Sequence, residues 1–360
     1  MSPYKVAIIG TGAIAGQHMD SLRQNAARVD VVAGMDVDAQ RVEAFCTKQG
    51  IPHAYTNTGE MLGAEKPALV HICTPPATHA SLAIQCLEAG AWVLCEKPLC
   101  ASLAEFDRIS GAEQRTGRYL STVFQWRFGS AAQHVKRLIQ SGEMGRPLVG
   151  VCQTLWYRDL AYYAVPWRGK WATELGGVTM GHGIHLIDLF LWLIGDWHEV
   201  HAMIGSLDRP IEVEDVSMAL VRFENGAMGN ITTSVLSPRQ ETYLRLDFQR
   251  ATVEVSALYS AANANWQFSL PVGVSSADAL ARWQTIDGNV PGAHAAQVAA
   301  LLDSIDRGTA PPVHGAESRR ILEFIASLYK SAMTGQPVLR GSITSDDPFY
   351  HAMNGVAEAR

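Results

Sequence analysis

Three clusters of residues have the types and spacings that chemistry needs. The first is Gly10-Thr11-Gly12-Ala13-Ile14-Ala15, a GxGxxA that follows directly on the apolar run Lys5 to Gly10. Gly10 permits a tight turn, Gly12 lets the backbone approach a pyrophosphate, and Ala15 keeps the next helix close to its strand. The amide N–H groups and helix dipole at such a turn attract phosphates. Asp36 follows Gly12 by 24 residues and ends the next apolar run, where a carboxylate accepts hydrogen bonds from the adenosine ribose. A carboxylate there repels a 2′-phosphate, which favours NAD over NADP. Arg41, a helical turn later, is within reach of such a phosphate and stays a cofactor candidate.

The second cluster is Gly181-His182-Gly183-Ile184-His185-Leu186-Ile187-Asp188. His182 and His185, three residues apart, share one face if a helix begins there, and imidazoles suit proton transfer near neutral pH. HxxH followed by Asp also invites a metal reading. Zinc sites on one helix more often use histidines four apart, and neither clustered Cys nor a third His stands nearby, so no metal is expected. The third cluster is an aromatic and basic loop: Trp156-Tyr157-Arg158-Asp159, then Tyr162-Tyr163, then Trp167-Arg168-Gly169-Lys170-Trp171. Aromatic faces stack on the C–H faces of sugar rings, and Arg or Lys binds hydroxyls or acidic substituents. Tyr163, Trp167 and Arg168 are the expected substrate contacts. Packing against a sheet or a subunit interface is the other use of such a loop.

The elements that must hold these clusters follow from periodicity. Short apolar runs at Lys5 to Gly10, Val29 to Asp36, Ala68 to Thr74, Ala91 to Glu96 and Tyr119 to Gln125 alternate with helical stretches such as Ser81 to Ala89 and Ser102 to Thr116. That alternation predicts βαβ units and a parallel sheet, α/β and doubly wound. After about residue 126 strand patterns dominate, with Asn225-Gly226 as a hairpin turn between Val216 to Phe223 and Ala227 to Val235. Tyr243 to Phe248 and Thr252 to Leu258 suggest a second hairpin, one helix is expected at Ile184 to Leu193, and the end is helical again. The expected division is residues 1–125 as a cofactor domain and 126–360 as an α+β domain on a mainly antiparallel sheet. The terminal helices are expected to pack back toward the first domain.

Composition narrows the partners. The 360 residues include 29 Lys and Arg against 35 Asp and Glu, a net charge of −6. That gives no electrostatic footprint for nucleic acid or an anionic membrane. The apolar run Leu186 to Ile194 contains Asp188 and falls short of the roughly 20 residues that span a bilayer. The N-terminal MSPYKVAIIG lacks the marks of a signal peptide, and the six Cys form no CxxC pair, so reduced thiols and a cytoplasmic location are expected.

Two further segments turn this into a named resemblance. Cys73-Thr74-Pro75-Pro76-Ala77-Thr78-His79 closes the fourth strand and Glu96-Lys97-Pro98 the fifth. With the GxGxxA turn and the histidine motif, the chain resembles the glucose-fructose oxidoreductase/inositol dehydrogenase/rhizopine-catabolism (Gfo/Idh/MocA) family over nearly its whole length. The resemblance implies hydride transfer between a sugar or polyol hydroxyl and the nicotinamide. By position it places Gly10, Gly12, Ala13, Ile14, Asp36, Thr74, Pro75, His79, Glu96, Lys97 and Gln125 at the cofactor, and Arg127 with Gln125 where both ligands meet. It makes Lys97 the catalytic lysine. An ammonium beside a nicotinamide cation and partly desolvated gives up its proton more readily.

One departure stands out. The family commonly carries Asp four residues before the histidine, and here that position is Gly181. The expectation is that His185 and Lys97 handle the proton and that His182 replaces the missing carboxylate; His182 as a mere cap of the glycine-rich turn stays open. Asp188 either orients a histidine or supports its helix. A glycoside-cleaving enzyme that uses NAD transiently, and a non-catalytic nucleotide-binding regulator, are the competing functions. The family implies a homodimer or homotetramer, for which the second domain's sheet offers a broad face.

Overall fold

The computed structural model describes residues 2–273 and 277–356. The chain divides into two compact units: residues 1–123 with 294–320, and residues 124–293 with 321–360. The unit boundary thus falls just before Phe124, and the first unit takes back a segment from near the C-terminus.

The first unit alternates strand and helix: β1 (Tyr4–Ile9), α1 (Ala15–Arg23), β2 (Val29–Met35), α2 (Ala39–Gln49), β3 (His53–Tyr55), α3 (Thr58–Glu65), β4 (Leu69–Ile72), α4 (His79–Glu88), β5 (Trp92–Cys95), α5 (Leu103–Thr116) and β6 (Leu120–Thr122). All six strands pair in parallel, in the order β3-β2-β1-β4-β5-β6. The order reverses between β1 and β4, and a doubly wound sheet binds its ligand at the crevice where that happens. β3 is the strand that periodicity missed: three residues, largely exposed, with no apolar run to announce them. Helices cover both faces, so β1 and β4 are buried almost throughout. A further helix of this unit, His294–Arg307, sets Val298, Leu301 and Leu302 into the same core as Val6, Ile8, Leu22 and Trp92.

One buried carboxyl in this unit is poised to titrate. Glu113 on α5 accepts the Leu120 N–H at 2.7 Å, and burial pushes its pKa from 4.5 up to about 7. The folded state therefore holds the proton more tightly than the unfolded chain. The resulting stability is fully present below the unfolded value and is lost as pH rises through about 7. Glu113→Gln keeps the acceptor without the charge. It should stabilise the protein by about 1–3 kcal/mol at pH 8 and be neutral near pH 4. Thermal melts at the two pH values check this; an equal effect at both would refute it.

The second unit is built on an eight-stranded sheet. Its strands are β7 (Pro147–Tyr157), β8 (Trp197–Gly205), β9 (Val216–Phe223), β10 (Met228–Ser234), β11 (Leu236–Phe248), β12 (Thr252–Ser256), β13 (Trp266–Ser269) and β14 (Val338–Leu339). The order is β13-β12-β11-β7-β10-β9-β8-β14. Every pairing is antiparallel except β10 with β7. Helix Ile184–Ile194 lies on one face and is apolar on nearly every side. Its Phe190 meets the sheet at two glycines: a Cβ on Gly150 would come within 2.3 Å of the ring and one on Gly229 within 2.7 Å. The helical stretch Trp171–Ile194, 24 residues, is long and apolar enough to cross a membrane, yet 89% of its apolar window is buried inside the protein. It is a core element of this unit, longer than the run read from sequence because a short helix (Trp171–Glu174) and a π-helical turn (Thr179–Gly183) precede the helix Ile184–Ile194. On the opposite face of the sheet Met203, Met218, Leu220 and Met228 are exposed.

Candidate active site

In the first unit the glycine turn is shaped by what surrounds it. Gly10 has φ +88°, and a Cβ there would lie 2.8 Å from the backbone of Cys73 and Thr74. Only glycine allows both that conformation and that approach. Where a Cβ of Gly12 would point, nothing lies within 4 Å. Gly12 and Ala13 are exposed, Ile14 is half-buried, and Ala15 is buried at the start of α1. The backbone over Gly12 is thus open for a phosphate to approach.

Asp36 follows β2 and is buried. Its Oδ2 accepts the Thr11 N–H at 2.9 Å and the Thr11 hydroxyl at 3.0 Å. Its Oδ1 accepts the Asp38 N–H at 3.1 Å and Arg41 Nη1 at 3.3 Å. Burial pushes this carboxyl up, but the Thr11 and Asp38 donors and the Arg41 charge outweigh it and hold it below its ordinary value. The acid is ionised and ready to accept ribose hydroxyls. Arg41 is paired with both Asp36 and, at 3.0 Å, Asp38. Two carboxylates around that guanidinium disfavour a 2′-phosphate, so an open glycine turn and an ionised acid together fit NAD.

Thr74 is half-buried and Pro75 exposed at the end of β4, on the rim of the same turn. His79 has a different place from the one expected. It is fully buried, its Nδ1 faces the Pro98 carbonyl at 2.8 Å and its Nε2 the Thr74 carbonyl at 2.8 Å. It ties the loop after β4 to the loop after β5, and both ring nitrogens are engaged in doing so. Burial lowers its pKa, against those two carbonyls.

Glu96 anchors a buried cluster that sequence reading did not assemble. Its Oε1 accepts His18 Nε2 at 2.9 Å and His294 Nε2 at 3.2 Å, and its Oε2 accepts the Lys97 backbone N–H at 3.2 Å. His18 Nδ1 lies 2.9 Å from His71 Nδ1. Burial opposes charge on Glu96, but the His18 and His294 hydrogen bonds overcome it and keep the carboxyl well below its ordinary value. Burial lowers His18 and His71, so the imidazoles are neutral. The proton positions follow: His71 donates from Nδ1 to His18, and His18 donates from Nε2 to the carboxylate. Glu96 is thereby a fixed support for the backbone of Lys97, whose side chain is half-buried. Among the described residues, His18, Glu96 and His294 are also the group whose ligand atoms lie within 4.8 Å of one another, close enough for an ion.

In the second unit the two histidines do not share an α-helical face. His182 lies in a π-helical turn, Thr179–Gly183, and His185 in the α-helix that begins at Ile184. Single π turns of this kind gather at functional sites. Buried Glu214 holds the turn by accepting the N–H groups of Gly177 at 2.9 Å and Thr179 at 3.0 Å. The Tyr329 hydroxyl adds a third hydrogen bond at 2.9 Å. His182 is buried, packs edge-on to Trp156 with ring centroids 5.1 Å apart, and has Nε2 3.2 Å from the Tyr162 hydroxyl. His185 is half-buried and stacks on Trp126, with centroids 5.3 Å apart and planes 29° from parallel. An apolar hollow lined by Trp126, Leu186, Leu189, Tyr259 and Trp266 adjoins that stack.

Gln125 and Arg127 belong to a 3₁₀ turn, Gln125–Phe128. Gln125 is half-buried. Arg127, expected as a substrate contact, is 3% exposed and grips Asp188 with two nitrogens: Nε to Oδ2 at 2.6 Å, and Nη2 to Oδ1. Asp188 thereby ties its helix to the turn that carries Arg127. The aromatic loop closes on itself in part. Arg168 lies 3.8 Å over the Tyr162 ring and 4.3 Å over Trp167, and pairs with Glu174 at 3.2 Å. Tyr163 packs edge-on to Tyr162 and lines a shallow hollow with Arg168, Leu160 and Ile211. Trp126, Tyr162, Glu174 and Glu214 were not singled out by sequence. Tyr162 stood in the quoted loop, whereas Glu174 and Glu214 lie outside any motif and had no signal.

A parallel sheet with an open glycine turn and an ionised acid, joined to a unit that clusters histidines among aromatic rings, defines a nicotinamide-dependent oxidoreductase. Residues 4–124 match the oxidoreductase family with the NAD-binding Rossmann fold, and residues 132–255 the GFO/IDH/MocA C-terminal domain. The chain belongs to the Gfo/Idh/MocA family and is an NAD-binding enzyme. It is 26% identical over 353 residues to a D-apiose dehydrogenase of Paraburkholderia graminis, covering 96% of this chain and 92% of that one. It is 25% identical over 362 residues to the D-glucoside 3-dehydrogenase of Escherichia coli, covering 94% and 97%. Among solved structures, the WlbA dehydrogenase from Chromobacterium violaceum in complex with NADH and UDP-GlcNAcA superposes with a TM-score of 0.84. That pair shares 26% identity, covering 96% of this chain and 98% of the other.

Proposed function

We propose that this enzyme oxidises a secondary hydroxyl of a sugar, polyol or sugar-acid derivative, or reduces the corresponding ketone. The observation that carries the substrate class is the second unit's arrangement of His182 and His185 among the faces of Trp126, Trp156 and Tyr162. Aromatic faces take the C–H side of a sugar ring, and imidazoles meet its hydroxyls. NAD supplies the hydride acceptor. The first unit contributes the open turn at Gly12, the acid Asp36, and Lys97 on a backbone pinned by Glu96. Lys97 and His185 handle the hydroxyl proton; His182, held by Tyr162, contacts a substrate hydroxyl, with Tyr163, Trp167 and Arg168 around it. The relatives named above act on or bind sugars, which supports the class without choosing its member.

Purified protein with NAD should accumulate NADH, read at 340 nm, with at least one member of a panel of pentoses, hexosides, uronates, inositols and nucleotide-linked sugar acids. The panel includes aryl glycosides, so that aglycone release without net NADH would instead reveal transient oxidation and elimination. The absence of both signals over the whole panel would sink the reading.

The exposed Met203, Met218, Leu220 and Met228 occupy the sheet face away from helix Ile184–Ile194. We assign that face to a second copy of the chain, in a cytoplasmic dimer or tetramer. Met218→Glu combined with Leu220→Arg should give a monomer by light scattering; an unchanged mass would refute the assignment.

A further inference from the structure

Glu174 holds its carboxylate beside the place where a side chain on Gly181 would begin. A Cβ placed on Gly181 would lie 3.6 Å from Glu174 Oε1, an ordinary van der Waals distance. The Gly181 backbone is not in the left-handed region, so no conformational demand requires glycine there. Glu174 is 4% exposed. Its Oε2 accepts the Gly169 N–H at 2.6 Å, and its Oε1 accepts Arg168 Nη1 at 3.2 Å.

The hydrogen bonds continue in one direction. Arg168 Nη1 has a second hydrogen, which it donates to the Tyr162 oxygen. The guanidinium plane is fixed between the rings of Tyr162 and Trp167, at 3.8 and 4.3 Å. Tyr162 keeps its proton, because burial pushes its pKa up to about 12. With its oxygen accepting from Arg168, its O–H can donate to His182 Nε2, 3.2 Å away. An Nε2 that accepts leaves the imidazole proton on Nδ1.

We propose that Glu174 is a positioning residue that, through Arg168 and Tyr162, sets the tautomer and orientation of His182, and that its carboxylate occupies the space a residue-181 carboxylate would fill. The proposal rests on His182 belonging to the substrate site. It accounts for glycine at 181: an acid there would extend one bond beyond its Cβ into the volume that Glu174 Oε1 already holds, and two carboxylates in contact cannot both stay ionised. The carboxylate has moved from one chain position to another while its place in the fold is kept.

A swap tests this. Glu174→Ala and Gly181→Asp alone should each lower kcat/KM about 10–100-fold on whichever panel substrate the wild type turns over. The double variant Gly181→Asp/Glu174→Ala should recover most of the loss. Glu174→Gln, which keeps the bulk and an acceptor for Gly169, serves where the alanine variant melts early. Independently of any substrate, ring ¹⁵N spectra of histidine-labelled protein should show His182 as the Nδ1–H tautomer in the wild type. They should show a mixture in Glu174→Gln, and the Nδ1–H form again in the double variant. A merely structural Glu174 would lower the melting temperature without moving that tautomer. A double variant no better than Glu174→Ala, together with unchanged His182 spectra, would overturn the proposal. A wild type that turns over nothing on the panel while the tautomer shifts as described would instead refute the function and leave the positioning role intact.

Discussion

Lys97→Ala is expected to lower turnover by about 10³-fold, within the range for a lost general acid or base. NAD affinity, measured by calorimetry, should change less than about threefold, because one peripheral cation contributes little when the turn and Asp36 do the holding. The asymmetry follows from how the site is built. The Lys97 backbone is pinned by Glu96 Oε2, and that carboxylate is fixed by His18 and His294, so truncating the side chain leaves the loop in place. Small primary amines added to Lys97→Ala should restore part of the rate, more so at higher pH where more of the free amine is unprotonated. Wild-type turnover in Lys97→Ala would remove the residue from the mechanism and revive a purely nucleotide-binding role for the lysine loop.

The second large effect is on stability. Arg127 and Asp188 are 3% and 2% exposed at the side chain and form a two-pronged ion pair. Breaking a buried pair by removing one partner strands the other charge without water, at a cost of about 3–5 kcal/mol. Asp188→Ala should therefore destabilise the protein by that amount in urea unfolding. Replacing both with apolar residues, Arg127→Met with Asp188→Leu, should return most of it, since the desolvation cost disappears with the charges. Activity should not return with it. The turn that carries Arg127 also carries Trp126, and the helix that carries Asp188 carries His185, so the pair holds the Trp126–His185 stack in register. A loss below about 1 kcal/mol in Asp188→Ala would show that the pair is neither as buried nor as isolated from water as its geometry implies.

Legibility in the sequence followed the range of the interaction. The glycine turn, Asp36, the parallel strands and the long helices are written in local spacing: a period of two or 3.6 residues, or a glycine where a strand ends. β3 escaped because three largely exposed residues carry no period. The different neighbours of His182 and His185 were not legible, because three-residue spacing means one face only in an α-helix, and the chain there makes a π turn held by Glu214, more than thirty residues away. His79 and Arg127 were drawn to ligands by position alone. Their rings and donors are turned instead to the Pro98 carbonyl and to Asp188.

By itself, the sequence determined that this chain builds a dinucleotide turn with an acid after its second strand, and that a histidine motif opens a buried helix. Those are properties of adjacent residues, whose relative geometry the covalent backbone dictates. The tertiary structure alone decided which charges meet. Asp188 pairs with Arg127 across 61 positions, Glu96 gathers His18 and His294 from distant parts of the chain, and Glu174 Oε1 lies 3.6 Å from where a Cβ on Gly181 would stand. A carboxylate is identified to its neighbours by where its oxygens lie, not by its number in the chain.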